Sequence, residues 1–212
     1  MSDPHPPGTD DRDPRGPVVA RSDEASLFEQ RLASRAALDG HFLKVFDDTV
    51  RLPDGAVTRR EYIVHPGAVV IIPMLDDGRL VIERQYRYPI GRAILEFPAG
   101  KIDPGEPRFD CARRELHEET GYTAREWANP GRLHNAPAYA TEFIDLWFAR
   151  GLTAGERRLD EHEHLDVLVM TLDELLALAA TGELTDAKTL IALLWLQNLR
   201  VGVWKLDWNT SY

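Results

Sequence analysis

The stretch that most constrains this chain is residues 105–122, GEPRFDCARRELHEETGY. Phe109, Ala112, Leu116 and Thr120 recur at three- and four-residue intervals, which predicts a helix with one face turned to a core. Gly121 is suited to end it. The polar face is anomalous. Glu115, Glu118 and Glu119 fall in the last two turns, where the helix dipole is negative and favours cations. Glu115 also stands three and four residues from Glu118 and Glu119, a spacing at which like charges repel by roughly 0.2–0.5 kcal/mol per pair. At about 100° per residue the three carboxylates share one stripe. Such hard oxygen donors suit magnesium or manganese rather than zinc or copper, and a divalent cation would cancel both penalties. Arg114 can reach back to Glu106 and hold the preceding loop against the helix. A merely solvated acidic helix would not account for the turns at Gly100 and Gly105 or for the Glu106-to-Arg114 spacing.

Strand signals surround this helix. HFLKVFDDTVRL and AVTRREYIVH flank a PDG turn and predict a hairpin. GAVVIIPML is a continuous apolar run, as expected of a strand covered on both faces. RLVIERQYR and AILEFPAG predict two more strands before the helix. After it, GRLHNAPAYATE reads as loop, and FIDLWFAR and HLDVLVM read as strands. TLDELLALAATGEL opens with a capping box, Thr171 with Glu174, and ends at Gly182. TDAKTLIALLWLQNLR follows as a second helix, capped by Thr185 or Asp186, with Leu190, Leu193 and Leu194 toward the sheet. The order predicts an α/β fold with a mixed sheet and helices on its faces. Residues 23–65 form an N-terminal arm and small antiparallel β element, with EASLFEQRLASRAAL a short helix or an extended arm. Residues 66–212 form the main domain. Residues 1–22, rich in Pro, Gly and Asp, are expected to be disordered. VGVWKLDWNTSY, with two tryptophans, is expected to dock onto the body.

Composition narrows the function. The net charge of −10 argues against a general nucleic-acid binder. No apolar run is long enough to suggest a membrane span, and no signal peptide is visible. The single cysteine, Cys111, excludes an internal disulfide and reads as a small buried hydrophobe. These features predict a cytoplasmic protein.

Gly100, Glu106, Arg114, Glu115, Leu116, Glu118, Glu119, Gly121 and Tyr122 together resemble the Nudix box. The resemblance implies a Nudix-type α/β/α sandwich that hydrolyses a nucleoside diphosphate linked to another moiety. It implies Mg2+, with Mn2+ as a substitute, held by Glu115, Glu118, Glu119 and the Ala99 carbonyl. Glu106 and Arg114, with Gly100 and Gly121, would support the box. The flanking segments ERQYRYP, ILEFPAGKID, APAYATE and LTDAKTLIALLW are similar to those of the ADP-ribose pyrophosphatase subgroup, as is Pro137, sixteen residues after Gly121. That likeness implies a nucleotide-sugar substrate, ADP-ribose, with Glu142 as base for the attacking water. It also implies a homodimer in which N-terminal strands cross over.

Outside the box, Arg84 and Arg87 are candidate phosphate or ribose contacts, or ordinary strand charges. Glu96 alternates with Leu95 and Phe97 and needs a partner, which points to a role near substrate or metal. Tyr139, with Tyr86 and Tyr88, offers a stacking surface for adenine or a packing role. His162 and His164 read as solvated loop. Another nucleotide sugar, such as GDP-mannose or ADP-glucose, and a non-catalytic ADP-ribose-binding regulator remain as alternatives.

Overall fold

A computed structural model describes Arg15, residues 23–159, Glu161 and residues 163–212. The expected tail, residues 1–22, lies outside the described residues apart from Arg15, and so does His162. The chain divides into two compact units. Among the described residues, one comprises those up to His65 together with Ala136–Glu142, the other Pro66–Asn135 with those of Phe143–Tyr212.

The first unit is a three-stranded antiparallel sheet, β1 (Gln30–Asp39), β2 (Lys44–Arg51) and β3 (Val57–Val64), in that order. The PDG turn closes the β2–β3 hairpin, with Gly55 at φ 88°. Of the two readings of EASLFEQRLASRAAL, the extended one holds for its second half, which is β1. Asp47 on β2 accepts from Arg35 of β1 and Arg59 of β3, tying the sheet across its width. The 136–142 segment joins this unit through Ile63 N–H to the Tyr139 carbonyl and Thr141 N–H to the Ile63 carbonyl.

The second unit is built on a mixed seven-stranded sheet. Its strands are β4 (Ala68–Met74), β5 (Leu80–Arg87), β6 (Arg92–Glu96), β7 (Ala99–Lys101), β8 (Tyr122–Leu133), β9 (Ile144–Ala154) and β10 (Leu165–Met170). The order is β10-β5-β4-β9-β8, with β6 beside β5 and β7 beside β4. Only β4 and β9 run parallel. The apolar run of β4 is explained by burial on both faces. Val70 and Ile72 enter one core with Ile82, Phe97 and Phe148, and Val69 and Ile71 enter the other with Trp127 and Trp147. Each such buried side chain contributes roughly 1.5–3 kcal/mol. Helix α1 (Arg108–Thr120) covers the second core through Cys111, Ala112 and Leu116. Helices α2 (Leu172–Thr181) and α3 (Ala187–Arg200) cover the first.

Both helix starts follow the sequence. Thr171 and Glu174 cap α2 reciprocally, and Asp186 rather than Thr185 caps α3. Two expectations fail. GRLHNAPAYATE is not all loop, because Gly131–Leu133 end the long strand β8, which a bulge between Ala128 and Gly131 lets continue past Pro130. The face of α3 is also rotated. Leu193 is buried, but Leu190 and Leu194 are 38% and 54% exposed, while Thr189, Ala192 and Leu196 turn inward. Thr189 sets that rotation by accepting the Phe97 N–H through Oγ1 at 3.0 Å. The C-terminal segment docks as expected: Trp204 packs on Trp195, Asn209 pairs with Trp127, and the Tyr212 hydroxyl donates to the Trp127 carbonyl. Among the described residues no helix is long and apolar enough to cross a membrane.

Candidate functional site

The site grows out of the C-terminal half of α1. Gly121 adopts the left-handed conformation at φ 76° and its N–H closes on the His117 carbonyl at 2.8 Å. A Cβ there would also stand 2.7 Å from the Gly155 carbonyl oxygen. The segment after β9 supplies donors to the helix end, Gly155 N–H to Gly121 and Arg158 N–H to Glu118. The last turn is thereby satisfied by backbone, and its acidic side chains are left for other partners.

Arg114 is the local counter-charge. Its guanidinium donates to Glu106 at 2.8 and 2.9 Å, to Glu115 at 2.7 Å and to Glu118 at 3.1 Å. The predicted Arg114–Glu106 clasp is therefore present. Hydrogen bonding from Arg114 lowers the Glu106 carboxyl to about 2, and Glu106 also accepts the Asp103 N–H. Glu119 lies deeper, 3% exposed, with one carboxylate oxygen accepting the Ala99 N–H at 3.0 Å. Glu115 presses on Gly100 so closely that a Cβ on Gly100 would fall 1.9 Å from its carboxyl carbon. Glycine at position 100 leaves the Glu115 carboxyl where it stands, and any larger residue would displace it.

Two buried carboxylates join this group from the sheet. Glu83 of β5 and Glu96 of β6 are register partners, each 1% exposed. Burial, then the neighbouring charges of Glu83, Glu115 and Glu163, hold Glu119 well above the usual carboxylate range. Burial and Glu96 do the same to Glu83, whose Oε1 has no hydrogen-bond partner among the described residues. Burial raises Glu115 to about 7 against the opposing pull of Arg114. The site therefore concentrates hard oxygen donors beyond the cations that serve them. Among the described residues no three acidic, histidine or cysteine side chains converge into a finished metal cage. The surplus of buried carboxylate, the unpartnered Glu83 oxygen and the Gly100 cradle nevertheless fit a hard divalent cation.

The remaining candidates divide. Arg87 shares a face of β5 with Glu83 and Gln85, and it grips Glu96 with Nε and Nη2 at 2.8 and 2.7 Å. Arg84 points the opposite way, onto Asp166 of β10, at a cavity of about 430 Å3 also lined by Tyr86 and His164. Pro137, Tyr139 and Glu142 belong to the first unit. Pro137 and Tyr139 line a cavity of about 270 Å3 with Asp48 and Tyr62, and Glu142 lies 3.8 Å from the His65 imidazole. The partners that Glu96 required are internal: Arg87, and Lys188 of α3. Sequence reading missed Glu83, Glu163 and Lys188. Glu163 bears electrostatically on Glu83, Glu115 and Glu119 alike and accepts from Gln85 at 3.3 Å. Only the side-by-side strand signals of Glu83 and Glu96 could have hinted at this pairing.

Comparison with known proteins bears on this geometry. The family model described as NUDIX domain matches residues 64–193. The chain is 37% identical to an ADP-ribose pyrophosphatase of Bacillus subtilis (strain 168) over 174 residues, 81% of this chain and 94% of that protein. It is 38% identical, with the same coverage, to the methanol dehydrogenase activator of Bacillus methanolicus. A crystal structure of an ADP compounds hydrolase superposes with a TM-score of 0.73 at 25% identity, covering 83% of this chain and 97% of that one.

Proposed function

The chain belongs to the Nudix family, and from that premise we propose that it hydrolyses the pyrophosphate of ADP-ribose to AMP and ribose 5-phosphate. The observation that carries this reading is the buried surplus of carboxylate around Glu119, set in a chain similar over most of its length to an ADP-ribose pyrophosphatase. Glu115, Glu118, Glu119 and the Ala99 carbonyl would hold a divalent cation, Mg2+ with Mn2+ as substitute. A bound cation of this kind neutralises pyrophosphate oxygens and lowers the pKa of a coordinated water.

The chain's own groups do the rest. Arg87 keeps Nη1 outside its grip on Glu96 and offers it to a phosphate oxygen. Arg114 and Glu106 hold the box against the β7 loop. Two carboxylates compete as proton acceptor, Glu142 from the first unit and Glu163, whose charge already bears on Glu119. Arg84, Pro137 and Tyr139 serve substrate binding, in a homodimer whose N-terminal units help complete the site, in the cytoplasm. The test is AMP release from ADP-ribose with Mg2+, with GDP-mannose and ADP-glucose as competitors for the role. Glu119→Gln will lower kcat by several orders of magnitude while Tm is kept. Full activity in Glu119→Gln, or turnover undiminished by chelator, overturns the assignment. Glu142→Gln and Glu163→Gln compared side by side identify the base, which is the one whose loss lowers kcat without raising KM.

A further inference from the structure

Lys188 stands in a place that stability alone does not explain. It follows the N-cap of α3 by two residues, where the helix dipole is positive and disfavours a cation. It is also buried, at 8% exposure. A well-packed apolar side chain there would be as good for folding or better, because taking a charge out of water costs several kcal/mol before any partner is found. What Lys188 touches is specific. Its Nζ donates to Glu96 Oε2 at 2.5 Å and to Asp186 Oδ1 at 3.1 Å.

Glu96 already has a cation. Arg87 grips it through Nε and Nη2, a fork that by itself satisfies a carboxylate. A second cation on the same oxygen is surplus to the pair. It is not surplus to the surroundings. Glu83 faces Glu96 across the strand pair and is buried with it, and Glu119 and Asp186 also act on Arg87. Without Lys188, Arg87 would be the sole cation among those carboxylates and its charge would be spent on them. With Lys188 in place, Glu96 is neutralised from behind. The Arg87 side chain stays 42% exposed, and its Nη1 has no partner among the described residues.

We infer that Lys188 is a positioning residue for substrate binding: by sharing Glu96 it leaves the Arg87 guanidinium pinned on one edge and available on the other to a pyrophosphate oxygen. The inference rests on the proposed pyrophosphate hydrolysis and adds to it a residue from α3, ninety-two positions from the carboxylate it serves. Lys188 does not itself reach substrate. Its effect passes through Glu96 to Arg87.

The experiment is a double-mutant cycle between Lys188 and Arg87 on the full chain with Mg2+, reading KM and kcat separately. Lys188→Met raises KM for ADP-ribose about tenfold, the order expected when the charge-assisted hydrogen bond that Arg87 offers a phosphate oxygen is largely lost, and changes kcat little. In an Arg87→Met background the same substitution adds less than about twofold, because the group through which it acts is gone. Lys188→Arg, which keeps the charge, restores most of the affinity. Equal KM penalties in both backgrounds, or a fall in kcat with KM unchanged, overturn the inference. Thermal melting separates this from a folding defect, since Glu96 keeps its Arg87 fork and Tm should hold. If Lys188→Met does not fold, Lys188→Gln, which removes the charge but keeps a donor, reads the same cycle. If the wild-type chain does not turn over ADP-ribose, the proposed substrate fails but the inference remains testable. Inorganic pyrophosphate with Mg2+, titrated calorimetrically, then binds about tenfold more weakly to Lys188→Met if the inference holds and equally if it does not.

Discussion

Replacing Gly100 with alanine tests the site at one carbon atom. The Gly100 backbone is not in the left-handed region, so alanine meets no conformational penalty there, and Gly in a strand is already about 0.5–1 kcal/mol worse than Ala. The whole effect must come from the new methyl group. It would lie 1.9 Å from both Cδ and Oε1 of Glu115, where ordinary contact begins at 3.4 Å. The carboxyl must therefore retreat by at least the difference, 3.4 minus 1.9, or about 1.5 Å. The obstacle is the far end of a flexible side chain, so the backbone stays and Glu115 swings. Stability loses the Glu115–Arg114 hydrogen bond, about 1.5–3 kcal/mol for a charged pair, less the gain from alanine. The net is about 1–2 kcal/mol, or a Tm lower by roughly 2–8 °C for a chain of this size. Activity loses far more. A misplacement near 1 Å costs on the order of a hundredfold, so kcat for AMP release should fall by at least that factor. Gly105→Ala is the control. It forces φ 79° on a non-glycine residue but meets nothing within 4 Å. It should lower Tm by a comparable amount, since the left-handed region costs about 1–2 kcal/mol, and leave kcat within a few-fold. If Gly100→Ala keeps wild-type kcat, the carboxyl that touches Gly100 is not part of the reacting site and the reasoning is refuted.

Three further outcomes follow from the same geometry. In chelator, stability should fall as pH rises from about 4.5 to about 7. Glu115 is raised to about 7 by burial, so the folded state holds a proton there that the unfolded chain releases; Glu83 and Glu119, raised for the same reason, extend the fall upward. Mg2+ at a hundred times its Kd should add about 2.7 kcal/mol, or roughly 5–11 °C of Tm at this chain length, more at pH 8 than at pH 5; a melting curve indifferent to Mg2+ would contradict the site. Thr171→Ala removes the capping box of α2 and should lower stability by about 1 kcal/mol with kcat unchanged, as read by denaturant titration beside the AMP assay.

What the sequence made legible was local. The α1 stripe, the Glu106–Arg114 clasp, the Thr171–Glu174 box and the double burial of β4 are all separated by fewer than ten residues, and periodicity or capping rules reach that far. β8 was hidden because Asn129, Pro130 and Gly131 carry turn chemistry, which here serves a bulge inside a strand. The rotation of α3 was hidden because leucines at 190, 193 and 194 suggest a face by hydrophobicity alone. The inward face is chosen by two polar residues, Thr189 bonding Phe97 and Lys188 bonding Glu96 across ninety-two residues. No window along the chain contains both partners.

Lys188 and the acids of α1 pose the same physical question with opposite signs. One helix carries its carboxylates at the negative end and the other carries a buried lysine at the positive end. If each were an isolated accident, each would be relieved by its own nearest counter-charge. Arg114 does that only in part, since Glu119 lies beyond its bonds. Lys188 is relieved by Glu96 and Asp186, but the carboxylate it holds is also Arg87's. The two misplacements therefore meet in one electrostatic system. On the α1 side a negative surplus awaits a cation, and on the α3 side a second cation frees Arg87 for an anion. A metal-bound pyrophosphate presents both signs at once, and it is the ligand that would relieve both helix ends together.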